Sequence, residues 1–366
     1  MKRSFVVVAT MAVAVGILPA TNGASAPATT SAIGAQLVAG GLDWPSGFTF
    51  APDGRIFYGE RFSGEIRIID LSTGSNTLFG TVTNIVGNGE RGLLGVAIHP
   101  SYPTVPFAYV YATRFSNGDV YNQIIAMRDD GGIAVSPRII WSSPTVAGDY
   151  HDGGRILFGP DGMLYAVQGE AHGPENAQDP TNNAGKVMRM TARGKVPPDN
   201  PFPGSLNFTY GLRNSYGFTF DPFTGLLWET ENGPECNDEI NIELSGENHG
   251  WGPNETCSTP PPPPENTNQD GANPVMPLSF YTPTVAPVGN AFCMGCALGA
   301  GEEGNMFYGR YNTRQIQRVV PTLDRMHIAS ENTAYTHSRS PLSLEVAPDG
   351  RIYFSDDTAI WRLIQT

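Results

Sequence analysis

Phe48-Thr-Phe-Ala-Pro-Asp-Gly-Arg-Ile-Phe-Tyr58 is an apolar run, a Pro-Asp-Gly corner and a second apolar run. Asp-Gly between two such runs is a strong hairpin signal. The same pattern recurs in Ile156-Leu-Phe-Gly-Pro-Asp-Gly-Met-Leu-Tyr165 and in Leu344-Glu-Val-Ala-Pro-Asp-Gly-Arg-Ile-Tyr-Phe354. Phe218-Thr-Phe-Asp-Pro-Phe-Thr-Gly-Leu-Leu-Trp228 repeats it with a longer corner. Two weaker copies fill the gaps. Leu94-Gly-Val-Ala-Ile-His-Pro100 leads to Ala108-Tyr-Val-Tyr-Ala112, and Asn305-Met-Phe-Tyr-Gly309 leads to Gln315-Ile-Gln-Arg-Val-Val320. Amphipathic helix periodicity is almost absent. Six unequally spaced units predict an all-β chain, a six-bladed β-propeller of four-stranded antiparallel blades with loop insertions on a regular scaffold. Residues 36–366 are read as this single domain. The segment Gln36-Leu-Val-Ala-Gly-Gly-Leu42 is expected to supply a closing strand to the last blade, which hides an edge.

The ends and the charge place the chain among exported proteins. Met1-Lys2-Arg3 precedes an apolar run from Phe5 to Ala20, and small residues follow at Ala24-Ser25-Ala26-Pro27-Ala28. Residues 1–28 therefore read as a secretory signal peptide and short leader, too short for a comfortable membrane span. The expected location is periplasmic or extracellular. The whole chain carries 22 Lys and Arg against 35 Asp and Glu; without Lys2 and Arg3 the balance is 20 to 35, a net charge of −15. Such a surface repels nucleic acid and anionic lipid. Partners are expected to be small molecules, with the chain a monomer or homodimer.

Export also makes disulfides the expected state of the four cysteines, Cys236, Cys257, Cys293 and Cys296. Three pairings are possible. The favoured one is Cys236–Cys257 with Cys293–Cys296; a redox-active Cys293-Met-Gly-Cys296 and a zinc site are the alternatives. Residues 253–275 form a Pro-rich insertion in which Pro260 to Pro264 cannot pair in a sheet.

Four polar stretches carry candidate chemistry. Glu231-Asn-Gly-Pro-Glu-Cys-Asn-Asp-Glu-Ile-Asn241 gathers carboxylates and carboxamides around a Gly-Pro break, and loop carbonyls with carboxylates are what Ca²⁺ prefers. Tyr150-His-Asp-Gly-Gly-Arg155 puts a histidine, suited to general-base work, beside glycines that let a ligand approach backbone closely. Tyr210-Gly-Leu-Arg-Asn-Ser-Tyr-Gly217 offers Arg213 and Asn214, whose donors suit a quinone or carboxylate ligand. The fourth is Glu90-Arg-Gly-Leu-Leu-Gly95. All four occupy equivalent places relative to their hairpins, and in a propeller equivalent places share one face around the central channel.

In this order, Glu-Arg-Gly-Leu-Leu-Gly, His-x-Gly-Gly-Arg-x-x-Phe-Gly-Pro-Asp-Gly, Gly-Leu-Arg-Asn and Asn-Gly-Pro-x-x-x-Asp-Glu-Ile-Asn, the chain resembles the soluble glucose/sorbosone dehydrogenase family over nearly its whole length. The resemblance implies pyrroloquinoline quinone (PQQ) on the top face, Ca²⁺ bridging quinone and protein, and oxidation of an aldose or similar alcohol with electrons passed to an external acceptor. It makes His151 the general base and Arg213 the group that stabilises charge on the quinone oxygen. Asn214, Asn232 and Glu90 join His151 and Arg213 around the cofactor. The carbonyls of Gly233 and Pro234 would bind Ca²⁺, with Asp238 and Glu239 as the supporting acidic pair. There are departures. Glu90 stands where relatives carry Gln, and pairing with Arg91 is expected to offset its charge. Asn312 stands where they carry a Lys that binds a PQQ carboxylate, with Arg310 and Arg314 as nearby substitutes. Only Arg339 remains of an Arg-x-Arg pair. Two alternatives follow: a non-catalytic, Ca²⁺-stabilised propeller that binds a glycan or protein, and a Ca²⁺-dependent lactonase with Glu90 and Glu170 on a channel metal.

Overall fold

In the computed structural model, which describes residues 32–366, six four-stranded antiparallel sheets follow one another along the chain. Blade 1 comprises Pro45–Phe50, Ile56–Glu60, Glu65–Asp70 and Ser75–Thr81. Blade 2 runs from Leu93–Ile98 to Ala134–Ser142, blade 3 from Ile156–Phe158 to Asn207–Tyr210, and blade 4 from Ser215–Phe220 to Ser279–Tyr281. Blade 5 runs from Pro287–Phe292 to Ile328–Thr336. Blade 6 has Ser343–Val346, Ile352–Ser355 and Ala359–Gln365, and its outermost strand is Ile33–Gly40 from the beginning of the described chain. The first strands of neighbouring blades pack on one another, save that the first strand of blade 4 packs on the second strand of blade 3, and blade 6 packs on blade 1, so the sheets close a ring. This is a six-bladed β-propeller. The segment expected to be a signal peptide, residues 1–28, lies outside the described residues. No helix among the described residues is long and apolar enough to cross a membrane.

The Pro-Asp-Gly corners work through local chemistry. The carboxylates of Asp53, Asp161 and Asp349 each accept the backbone N–H two residues on, at 3.1, 3.0 and 3.1 Å. The following glycines have positive φ, as at Gly54 (87°), a conformation that costs other residues energy. The fifth unit differs from its sequence reading. Met306–Arg310 and Gln315–Pro321 are the second and third strands of blade 5, and the first is Pro287–Phe292. A longer loop containing the Cys293–Cys296 disulfide replaces the tight corner there. The second disulfide joins Cys236 to Cys257.

Around the axis the innermost strands come close enough to touch backbone to backbone. A Cβ on Gly95 of blade 2 would lie 2.1 Å from the Gly154 carbonyl of blade 3, and one on Gly47 of blade 1 would lie 2.5 Å from the Leu94 carbonyl of blade 2. At this belt the axial space narrows to about 10 Å³, lined by Gly47, Leu94, Gly289 and Arg155, and Arg155 forms a buried ion pair with Glu345 across the ring. The top of the channel is therefore a cup with a floor.

Candidate active site

The cup holds a cavity of about 350 Å³, within the range of small-molecule sites, roughly 300–1,000 Å³. Its walls come from residues just before or at the start of first strands and just after second strands, all at one end of the ring. Glu90 enters from just before blade 2, Asn214 and Tyr216 from the start of blade 4, and Asn232 from just after its second strand. Arg61 and Tyr311 occupy the places equivalent to Asn232 in blades 1 and 5. A second recess of about 400 Å³ shares Trp44, Tyr311 and Leu342 with the first and reaches Arg314 and Arg339.

Glu90 ties three of the sequence-predicted residues together. Its Oε2 accepts the backbone N–H of His151 at 2.9 Å and the Nδ2–H of Asn214 at 3.0 Å. The expected pairing with Arg91 does not form, because Arg91 is drawn to Asp149 and to the Gly148 carbonyl. Glu90 is thus balanced by neutral N–H donors. His151 is buried and has φ of 66°, in the left-handed region. Its Nδ1 lies 2.5 Å from Oε1 of the buried Glu170, whose Oε2 accepts the Gly173 N–H at 2.5 Å. An ionised carboxylate can only accept, so Nδ1 carries the hydrogen, and in the neutral imidazole this leaves the lone pair on Nε2. The His172 ring packs edge-on against His151 with 4.9 Å between centroids. Asp152, behind this loop, accepts from Asn122 at 2.9 Å, and burial pushes its pKa up to about 7.

Arg213 reaches across to the blade 4 loop. Its Nη1 donates to the Asn232 carbonyl at 2.9 Å and the Gly233 carbonyl at 2.6 Å, and the guanidinium lies 5.4 Å from the Trp251 ring centroid. Burial lowers its pKa, against the opposing pull of Glu170, Glu231, Glu90 and Asp238. Two carbonyl oxygens converging on one cationic nitrogen suit a hard cation once Arg213 moves aside. Asp238 is not directed at that point. Its Oδ1 accepts the Gly233 N–H at 2.8 Å, and its Oδ2 accepts the N–H groups of Val285 and Ala286 at 2.5 and 2.7 Å. Asp238 thus shapes the carbonyl loop from behind. Glu239 is buried deeper, accepting from Asn237 and Asn241, in a cluster with Glu231, Glu243 and His249. Burial opposes charge on His249, but Glu243, with Glu231 and Glu239, raises its pKa to about 9.

Among the substitutes for the departed basic residues, Arg310 is held by Glu331 at 2.5 Å and lies over the Tyr281 and Tyr308 rings. Asn312 donates to the Thr284 carbonyl at 3.3 Å. Arg339 pairs with Asp357 at 2.7 Å. The Arg314 side chain makes a 3.4 Å contact to the Ser338 carbonyl and no ion pair among the described residues. The lactonase arrangement has no support in the geometry. Glu90 and Glu170 are each engaged by N–H donors, and they belong to no cluster of potential metal ligands among the described residues. Sequence reasoning passed over Arg61 and Trp44. Arg61 follows the first Pro-Asp-Gly hairpin by the spacing that puts Asn232 after the fourth, which is the signal that would have found it.

The sequence model described as Glucose / Sorbosone dehydrogenase matches residues 42–365. The aldose sugar dehydrogenase YliI of Escherichia coli is 28% identical over 236 residues, covering 62% of this chain and 63% of that protein. Quinoprotein glucose dehydrogenase B of Acinetobacter calcoaceticus is 29% identical over 265 residues, 64% of this chain and 55% of that one. The solved PQQ-bound form of the aldose sugar dehydrogenase from Streptomyces coelicolor superposes with a TM-score of 0.78 at 28% identity, covering 93% of this chain and 99% of that chain.

Proposed function

The chain belongs to the glucose/sorbosone dehydrogenase family, and from that premise we propose that it is an exported PQQ-dependent dehydrogenase that oxidises an aldose or similar alcohol, with His151 as the base. The observation that carries the chemistry is the His151–Glu170 pair at 2.5 Å, which lies outside the cavity lining and is tied to it through Glu90, a lining residue that accepts the His151 N–H. Glu170 fixes the imidazole so that Nε2 is the basic atom, and it stabilises the imidazolium that forms when the sugar hydroxyl gives up its proton. Asn214, held by Glu90, and Asn232, held by the Pro287 carbonyl at 3.1 Å, have the donors and acceptors to orient a flat quinone. The aromatic rings of Trp44, Tyr216 and Tyr311 supply apolar wall for it. The cofactor fits this lining in size and polarity, and PQQ would supply the two-electron acceptor for the alcohol carbon.

Ca²⁺ belongs to the same reading. The carbonyls of Asn232 and Gly233 are the oxygens that converge, and Gly233 is held in place by Asp238; Pro234 is the further carbonyl the family resemblance adds. A Ca²⁺ ion takes about 6–8 oxygens, so these carbonyls would supply part of its shell, and the ion would provide Lewis-acid chemistry there. Arg213 would then leave the carbonyls and be free to stabilise charge on the quinone oxygen.

The test is reconstitution of demetallated protein with Ca²⁺ and PQQ, followed by dye reduction against a panel of aldoses. Saturable sugar-dependent reduction, abolished in His151→Ala with PQQ still bound, is the expected result. PQQ binding without sugar oxidation on any aldose would defeat the assigned substrate class.

A further inference from the structure

The cavity lining contains one cationic side chain, Arg61, and one carboxylate, Glu90. Arg61 is half-buried, and its side chain is held at two points. Its Nε donates to the Arg91 carbonyl at 2.9 Å and its Nη2 to the Gly89 carbonyl. Its guanidinium lies 5.2 Å from the Trp44 ring centroid and 4.9 Å from that of Phe62. Among the described residues no carboxylate pairs with it, and its side-chain hydrogen bonds go to these two neutral carbonyls. A guanidinium has five N–H donors, so most of its fork remains for a ligand. Other arginines at this end are already engaged: Arg91 by Asp149, Arg310 by Glu331, Arg339 by Asp357, and Arg213 by the blade 4 carbonyls.

An immobilised guanidinium without a counter-ion, in the wall of a cavity, is an anion site whose ordering cost is met before the ligand arrives. Resting on the PQQ reading above, we propose that Arg61 binds a carboxylate of the quinone, so that in this chain blade 1 supplies the charge contact expected from blades 5 and 6. The placement has a second effect. The two carbonyls that anchor Arg61 flank Glu90, so a carboxylate on Arg61 steadies the loop that holds Asn214 and the His151 backbone.

The experiment is a titration of the demetallated, Ca²⁺-reloaded protein with PQQ, followed by the quinone's absorbance and by quenching of tryptophan fluorescence, with no sugar present. Wild type, Arg61→Gln, Arg61→Lys and Arg314→Gln are compared, with PQQ trimethyl ester as a second ligand. Loss of a charge-assisted contact should raise the Kd of Arg61→Gln by about 10- to 150-fold, roughly 1.5–3 kcal/mol. Lysine should restore part of this, since it keeps the charge and lacks the fork. The ester should bind wild type and Arg61→Gln alike. Thermal melts of the variants separate lost binding from lost folding. An unchanged Kd in folded Arg61→Gln overturns the proposal, as does a loss confined to Arg314→Gln. Wild type that binds no PQQ overturns the cofactor reading itself, a result distinct from either.

Discussion

Replacing Glu170 by glutamine tests the catalytic reading at its narrowest point. The amide oxygen can still accept the Gly173 N–H now received by Oε2, so the loop keeps its anchor. Facing Nδ1 at 2.5 Å, however, there would be an NH₂ in place of a carboxylate oxygen. Two hydrogens cannot share that contact, so the imidazole must carry its proton on Nε2, where the base is needed, or turn away. Losing the charge-assisted bond alone corresponds to about 1.5–3 kcal/mol, roughly 10- to 150-fold in rate. Inverting the tautomer takes the loss towards the ~10⁴-fold seen when the carboxylate behind a serine-protease histidine becomes an amide. In steady-state dye reduction, kcat/KM should therefore fall by about 10- to 10⁴-fold. The PQQ Kd should hold, since Glu170 is not in the cavity lining. A loss below about threefold, less than an ordinary hydrogen bond of about 1 kcal/mol gives, would refute the view that Glu170 orients the base.

Asp152 predicts a pH signature. Burial raises its pKa from 3.8 to about 7, so between these values the folded protein holds a proton that the unfolded chain has lost, and this group's contribution to stability falls as pH rises through that window. Asp152→Asn keeps the acceptor for Asn122 and removes the ionisable group; denaturant melts should show it stabilised at pH 8, on the order of a few kcal/mol, with the gain vanishing near pH 4, and an equal shift at both pH values would contradict this. Gly95→Ala drives a methyl to 2.1 Å from the Gly154 carbonyl; strain of this kind costs ~1–3 kcal/mol or more, so the variant should melt well below wild type or fail to accumulate, and a wild-type melt would sink the close-packed belt. Opening Cys236–Cys257, a separation of 21 residues, by a double serine substitution should lower stability by roughly 3 kcal/mol, read as a shift in denaturant midpoint; no shift would mean that the loop is ordered by its other contacts.

What the sequence disclosed was what local chemistry determines. Pro-Asp-Gly corners state their own turn, because the Asp carboxylate and the glycine φ act within three or four residues. The site loops were legible for the same reason, since His151, Arg213, Asn214 and Asn232 sit in short polar motifs beside those corners. Blade 5 was read out of phase because its first strand opens on Pro287 and ends in a disulfide-bearing loop, a pattern with no turn signature. Pairings across the ring were also hidden. Glu90 meets Asn214 over a separation of 124 residues, and adjacency in sequence suggested Arg91 instead. Arg61 was missed because its meaning depends on Trp44, on Phe62 and on a cavity built by other blades.

The last blade is completed by Ile33–Gly40, which pairs with Ala359–Gln365, and the Thr366 N–H reaches the Ala32 carbonyl at 2.8 Å. The two ends of the propeller chain therefore meet, and the order of the blades along the sequence is a convention that the ring itself does not require. A short peptide could join Thr366 to Ala32 and a new start be cut into any exposed corner such as Pro52–Gly54, leaving every sheet paired. By the same logic, stripping residues 33–40 would leave the edge of Ala359–Gln365 unpaired, an open template for a neighbouring molecule's strand. Self-association in solution would then report on the integrity of a strand far from the chemistry.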